Sequence, residues 1–185
     1  VDAMAKKPEF SFTMAHLKDE GMIATSEIAT KIADFTYSKY MRDTRQALKD
    51  FDDGKDSMLI DDMVNMNIML TGMVSDLSTG GKQLAVAHNF YDAVCCMYKD
   101  VRRKYLHGEI VAMALPLQLA VNGSPEAEIE ELKAFLREVG IPVSIREAGM
   151  PQDGLEELIT YVHRVTIPDD MELLEQIRDG FKYIM

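Results

Sequence analysis

Apolar residues recur along this chain at the three- and four-residue spacing of amphipathic helices. The pattern predicts a helix that begins at Thr25 or Ser26 and ends near Lys49, whose apolar positions are Ile28, Ile32, Phe35 and Tyr40, with Ala29 and Ala33. The next helix, Met58 to Leu77, is apolar on nearly every face, so it is expected to be central, with its methionines filling the core. No stretch alternates apolar and polar residues as a half-buried strand does. The sequence therefore predicts an all-α bundle of about seven helices.

Proline and glycine residues predict where the other helices begin and end. Pro8 is expected to stop a first helix that starts at Asp2, and Pro116 to kink a helix that runs from Glu109 to Val121. The remaining predicted helices are Lys82–Met97 after the Gly80–Gly81 pair, one opened by Ser124 as N-cap before Pro125, Asp153–His163, and a last one from Pro168 to about Tyr183.

The composition of the chain argues against some classes of binding partner. The chain has 185 residues, enough for one domain with its own core. Its 20 basic and 31 acidic residues give a net charge of −11, which argues against a nucleic-acid partner. The short basic segment from Lys99 to Lys104 is expected to be a solvated loop. No stretch approaches the roughly 18 apolar residues of a membrane span, and no signal peptide is recognisable.

The two cysteines, Cys95 and Cys96, are adjacent. Adjacent cysteines make a disulfide framework implausible and suit a reducing compartment, so a cytoplasmic location is expected. The sequence around them has no CxxC spacing that would indicate a metal or redox site. Both are therefore expected to be small core residues.

His88 and His107 are the candidates for chemistry. His88 lies in an apolar helical run and shares a helix face with Leu84, Tyr91 and Cys95, so it is expected to point inward. His107 stands at the start of the next apolar run. Imidazole is a common metal ligand, but two histidines 19 residues apart meet only if packing brings two elements together. Spacing alone leaves open a second interpretation, a core histidine and an unrelated histidine at a helix start.

The segments around these histidines resemble a known metal site. The chain has GGKQLAVAH, then HGEIVA, then Leu117-Gln118-Leu119. The resemblance is to the glycerol dehydrogenase family, within the metal-dependent or iron-containing alcohol dehydrogenases, whose members carry GG-LAxAH, HGExVA and a following QL. In that family one aspartate and the two motif histidines hold the metal, and these positions fall on Asp2, His88 and His107.

The resemblance implies both a fold and a function. The family's C-terminal domain is an all-helical bundle of the dehydroquinate synthase-like kind, so residues 1–185 are expected to form a single metal- and substrate-binding domain. The expected function is that of an NAD(P)-dependent alcohol or polyol dehydrogenase whose metal polarises the substrate hydroxyl. No GxGxxG motif occurs, so NAD(P) is expected to bind to an N-terminal domain that this chain lacks, and the isolated chain to be inactive. No catalytic side chain is expected beyond the metal ligands.

Departures from the family pattern leave the metal and the substrate open. The iron-binding branch has a further histidine where this chain has Lys6. Three ligands with an open fourth position suit a catalytic zinc, so zinc is expected and iron is the alternative. After the first ligand the family has HAIHNG, whereas this chain has HNFYD, with a Phe90-Tyr91 pair where the second histidine stands.

Other functions also remain open from the sequence. Within the same group the alternatives are a hydroxycarboxylate dehydrogenase and a glycerol-phosphate dehydrogenase. Outside it, the alternative is a non-catalytic helical module for interaction or oligomerisation. Homo-oligomerisation of the enzyme is open as well.

Overall fold

The computed structural model describes residues 1–16, 24–78 and 84–185. These ranges contain helices and turns and no strand, so the predicted all-α class is confirmed. The Gly80–Gly81 pair and the predicted helix start at Lys82 lie outside the described residues. Contacts divide the chain into two compact units. The first comprises Val1 and the described part of Ala3–Gln83, and the second comprises Asp2 and Leu84–Met185.

In its described residues, the first unit contains four α-helices. A 3-10 turn, Asp2–Ala5, runs directly into the first of them. The helices are α1 (Lys6–His16), α2 (Ala24–Asp52), α3 (Met58–Asn65) and α4 (Thr71–Leu77), with a π-helical turn, Met66–Leu70, joining α3 to α4.

Two predicted helix boundaries in this unit are wrong. Pro8 was expected to stop a helix, but it is the third residue of α1. The N–H that proline lacks has no acceptor within a helix at that position, so the helix continues through it. Thr25 and Ser26, the candidate N-caps, lie inside α2.

One buried apolar cluster of the first unit comprises Phe10, Ala29, Ala33 and Val74, with partly buried apolar side chains around them. The apolar positions expected on α2 are not all buried: Phe35 is 57% exposed, whereas the two alanines are buried. Tyr37 and Tyr40 of α2 are also buried, so small and large side chains both contribute to the buried face of this helix.

The expectation that Met58–Leu77 is a central helix is wrong within the described residues. Of its large apolar side chains only Met66 and Val74 are buried, while Met58 is 83% and Ile68 75% exposed. Several of its methionines are therefore surface residues rather than core filler. Within the first unit, the segment Met58–Leu77 packs mainly against α2. Because this segment is apolar on nearly every face, a single neighbouring helix covers only one side of it.

The second unit contains seven further α-helices. They are α5 (Val86–Met97), α6 (Lys99–Lys104), α7 (His107–Met113), α8 (Leu115–Val121), α9 (Glu126–Glu138), α10 (Leu155–Thr166) and α11 (Met171–Gly180). Helix α5 packs against α7 and α10, and α8 packs against α9 and α11. Phe90 and Phe181 are fully buried with ring centroids 6.2 Å apart, so α5 lies at the centre of this unit.

Three details of the second unit differ from the expectations. The basic segment Lys99–Lys104 is a short helix rather than a loop, because Val101 is buried and anchors it. The break near Pro116 falls at Ala114, and Pro116 lies in the first turn of α8. Helix α9 begins after Pro125 without a side-chain cap from Ser124.

The cysteines are free thiols, and Cys96 is exposed, so its assignment to the core is wrong. Its sulfur lies 3.7 Å from the hydroxyl of Tyr161 at the protein surface. Among the described helices, none has the length and apolar character that crossing a membrane requires.

Candidate metal centre

The second unit brings the three residues identified from the sequence together. Oδ1 of Asp2 lies 3.6 Å from Nε2 of His88 and 3.3 Å from Nε2 of His107. The two imidazole rings have centroids 5.4 Å apart. One potential ligand atom from each residue lies within 4.8 Å of the others, so the three side chains face a common space.

The packing of α5 against α7 accounts for the meeting of the histidines. His88 is the third residue of α5 and His107 is the first residue of α7. The expectation that His88 points inward is wrong, because its side chain is 31% exposed. The buried face of α5 is formed instead by Val86, Ala87, Phe90, Ala93 and Val94.

The donor set and its spacing fit a divalent metal. Ligand atoms bound at about 2.0–2.1 Å in a tetrahedron lie about 3.3–3.4 Å apart, close to the distances from Asp2 to the two histidines. The His107 and Asp2 side chains are 42% and 49% exposed. The side chains of the group are therefore partly exposed.

Gly108 makes room for Asp2. A Cβ atom at position 108 would lie 2.8 Å from Cβ of Asp2 and 3.5 Å from its backbone nitrogen. The residue after His107 can thus bear no side chain without displacing Asp2.

Glu109 fixes the start of α7. Its carboxylate accepts a hydrogen bond from the backbone N–H of Leu106 at 2.6 Å.

Gln118 holds the start of α5. Its buried side-chain oxygen accepts hydrogen bonds from the backbone N–H groups of Val86 and Ala87, at 2.8 and 3.2 Å. Its side-chain nitrogen donates to Asn122 at 2.8 Å. These N–H groups belong to the first turn of a helix and have no acceptor within it. Gln118 on α8 therefore fixes the turn of α5 that carries His88.

Comparison with known proteins agrees with these motifs. No protein-family model matches the chain. A glycerol dehydrogenase from Thermotoga maritima is 33% identical over 82 residues, which cover 44% of this chain and 21% of that protein. The solved structure of a probable glycerol dehydrogenase from Sinorhizobium meliloti 1021 superposes with a TM-score of 0.68 at 23% identity. Glycerol dehydrogenase from Schizosaccharomyces pombe gives 0.66 at 20% identity.

The chain resembles the glycerol dehydrogenases in sequence and in fold. Each structural match covers 84% of this chain, but only 44% and 41% of the respective relatives. The chain thus spans less than half the length of the glycerol dehydrogenases it matches. At these identities the structural matches establish the helical fold, and the sequence match supports the relationship.

Two residues near the site were not assigned a role from the sequence. Tyr91 contacts the ring of His107, with centroids 4.2 Å apart, and Arg102 donates a hydrogen bond from Nε to the Tyr91 hydroxyl at 3.0 Å. A hydrogen bond with the Cys95 thiol raises the pKa of Tyr91 above its ordinary value. The only signal in the sequence was the departure from the glycerol dehydrogenase pattern at Phe90-Tyr91.

Replacing Gly108 by alanine should move Asp2 away from the histidines, because the added methyl group would overlap Cβ of Asp2. The expected result is a longer distance between Asp2 Oδ1 and His107 Nε2, with the histidines still adjacent, in a crystal structure of the variant. Gly72→Ala is the matched control, since a Cβ there meets no atom within 4 Å. It should stabilise α4 by up to about 1 kcal/mol. An unchanged Asp2–His107 distance in Gly108→Ala would contradict the packing argument.

Replacing Gln118 by leucine should lower the free energy of unfolding by about 1–3 kcal/mol, because buried N–H groups of Val86 and Ala87 lose their acceptor. Urea denaturation followed by circular dichroism measures the change. Gln176→Leu is the control, because that side chain is exposed and makes one long hydrogen bond to Glu172. Equal stability of the two variants would show that Gln118 is not needed to hold α5.

Proposed function

We propose that this chain is the metal- and substrate-binding domain of an alcohol or polyol dehydrogenase of the glycerol dehydrogenase type. Asp2, His88 and His107 are the proposed metal ligands, and no other side chain is assigned a catalytic role. The observation that carries the proposal is that three residues at the positions of the family's ligand motifs lie with one potential ligand atom each within 4.8 Å of the others. A helical module that only mediates interactions would not require this convergence.

Zinc is the proposed metal and iron the alternative. Two imidazoles and one carboxylate with an open position suit a catalytic zinc, and the same donor set is found in iron(II) sites. When bound, the metal supplies a Lewis acid that polarises the substrate hydroxyl for hydride transfer to NAD(P). The 185 residues contain no GxGxxG motif, so NAD(P) is proposed to bind to residues outside them.

The three ligand side chains determine the net charge of the metal site and the side from which a substrate would enter it. His88 and His107 bind a metal as neutral imidazoles, and Asp2 contributes one negative charge. A divalent ion would therefore keep a net positive charge at the site. The exposed side of the three ligands is where a small alcohol or polyol would enter.

Zinc should raise the melting temperature of the chain, and the two histidines should be required for the rise. A ligand that binds only the folded state at a hundredfold excess over its Kd stabilises by about 2.7 kcal/mol, which corresponds to about 5–10 °C for a chain of this size. His88→Ala and His107→Ala should abolish the rise, and Asp2→Ala should reduce it by less. Thermal melts with and without zinc measure these shifts.

The control for this experiment is His16→Ala. His16 is an exposed histidine at the end of α1, and its replacement should leave the zinc-dependent rise intact. A rise of the same size in wild type and in His107→Ala would mean that zinc binds elsewhere, and the assignment of the ligands would be wrong.

The purified 185-residue chain, loaded with zinc or with iron(II), should not oxidise glycerol or other alcohols with NAD or NADP. The reason is that it contains no recognisable dinucleotide-binding motif. Absorbance of the reduced nicotinamide measures turnover, and an intact glycerol dehydrogenase serves as the positive control. Turnover by the chain would contradict the proposal that the cofactor binds outside it.

A further inference from the structure

The ring of Tyr91 contacts the imidazole of His107 edge to face. The centroids are 4.2 Å apart and the ring planes differ by 76°, an arrangement that aromatic pairs favour. Within the part of the chain that the structure describes, His107 makes no hydrogen bond through Nδ1. A metal-ligating histidine is commonly oriented by such a bond, so at this position the contact with the Tyr91 ring is available to restrain the imidazole.

Arg102 holds Tyr91 and the turn before His107 at the same time. Its Nε donates to the Tyr91 hydroxyl at 3.0 Å, and its Nη1 donates to the Tyr105 carbonyl at 3.4 Å. The guanidinium carbon also lies 5.5 Å from the centroid of the Tyr91 ring. Because Tyr105 is two residues before His107, one side chain on α6 fixes both the ring that contacts the imidazole and the backbone that leads to it.

We infer that Tyr91 and Arg102 are positioning residues of the metal centre, which orient Nε2 of His107 for metal binding. The inference rests on the proposed function, since it assigns a role toward the same metal. Neither residue is a ligand: Tyr91 acts through the His107 ring, and Arg102 acts through Tyr91 and through the backbone that leads into α7.

Titration of the purified chain with cobalt(II) tests the inference, because the visible absorption of this ion reports both occupancy and coordination geometry. Tyr91→Leu removes the ring and should weaken cobalt binding by about tenfold, with an altered spectrum. Tyr91→Phe keeps the ring contact and loses the hydroxyl that Arg102 holds. It should therefore lose less affinity than the leucine variant.

A matched pair on α10 provides the control. Arg164 lies over the ring of Tyr161, with its guanidinium carbon 5.5 Å from the centroid, the same separation as in the pair at the site. Tyr161→Leu should leave the affinity and the spectrum unchanged. A thermal melt of each metal-free variant separates lost affinity from lost folding. If Tyr91→Leu does not melt cooperatively, Arg102→Met takes its place, with weaker cobalt binding expected.

The outcomes distinguish this inference from the function on which it rests. A wild-type chain that binds no cobalt overturns the proposed function and this inference together. Wild-type binding with the same affinity and spectrum in Tyr91→Leu, or in Arg102→Met where that variant replaces it, overturns the positioning role alone. An equal loss of affinity in Tyr161→Leu also overturns it, because the effect would then be a general consequence of removing a surface aromatic ring.

Discussion

The packing of Asp2 against residue 108 is the contact on which the candidate site depends. Asp2 lies near one end of the sequence, and its carboxylate reaches the histidines only because α7 bears no side chain at Gly108. The two histidines depend in turn on the packing of α5 against α7, and Gln118 holds α5 from a third helix. The site is therefore assembled by contacts between distant parts of the chain, with little contribution from local structure.

Local patterns predicted the helical class, and the family resemblance indicated the three candidate ligands, but neither predicted the surroundings of the ligands. The ligands were found because motif residues such as His107-Gly108-Glu109 match a family pattern. Gly108 and Gln118 belong to the same motifs, but the motifs did not show their roles, since each role depends on the approach of a segment far away in sequence. The inward direction expected for His88 was wrong because helical spacing groups residues on one face without showing which face is covered.

In the first unit, too, the sequence pattern did not show which apolar side chains are buried. Periodicity identifies apolar positions, and Phe35, Met58 and Ile68 occupy such positions while remaining largely exposed. Burial depends on what lies opposite a side chain, which a single-helix pattern cannot report. Within this unit the buried cluster combines small residues such as Ala29 and Ala33 with Phe10 and Val74, so the size of an apolar side chain does not indicate whether it is covered.

The π-helical turn Met66–Leu70 has a consequence for the rotational phase of the helix that contains it. Met66 and Val74 are both buried, yet residues eight positions apart in a regular α-helix differ by about 80° around the axis. The wider π turn offsets this angular difference. The hydrogen bond from the Thr71 N–H to the Met66 carbonyl closes the turn. A π turn amounts to one residue inserted into an α-helix. A related helix without it would align with a one-residue gap here, and without that gap its last two turns would be rotated by about 100°.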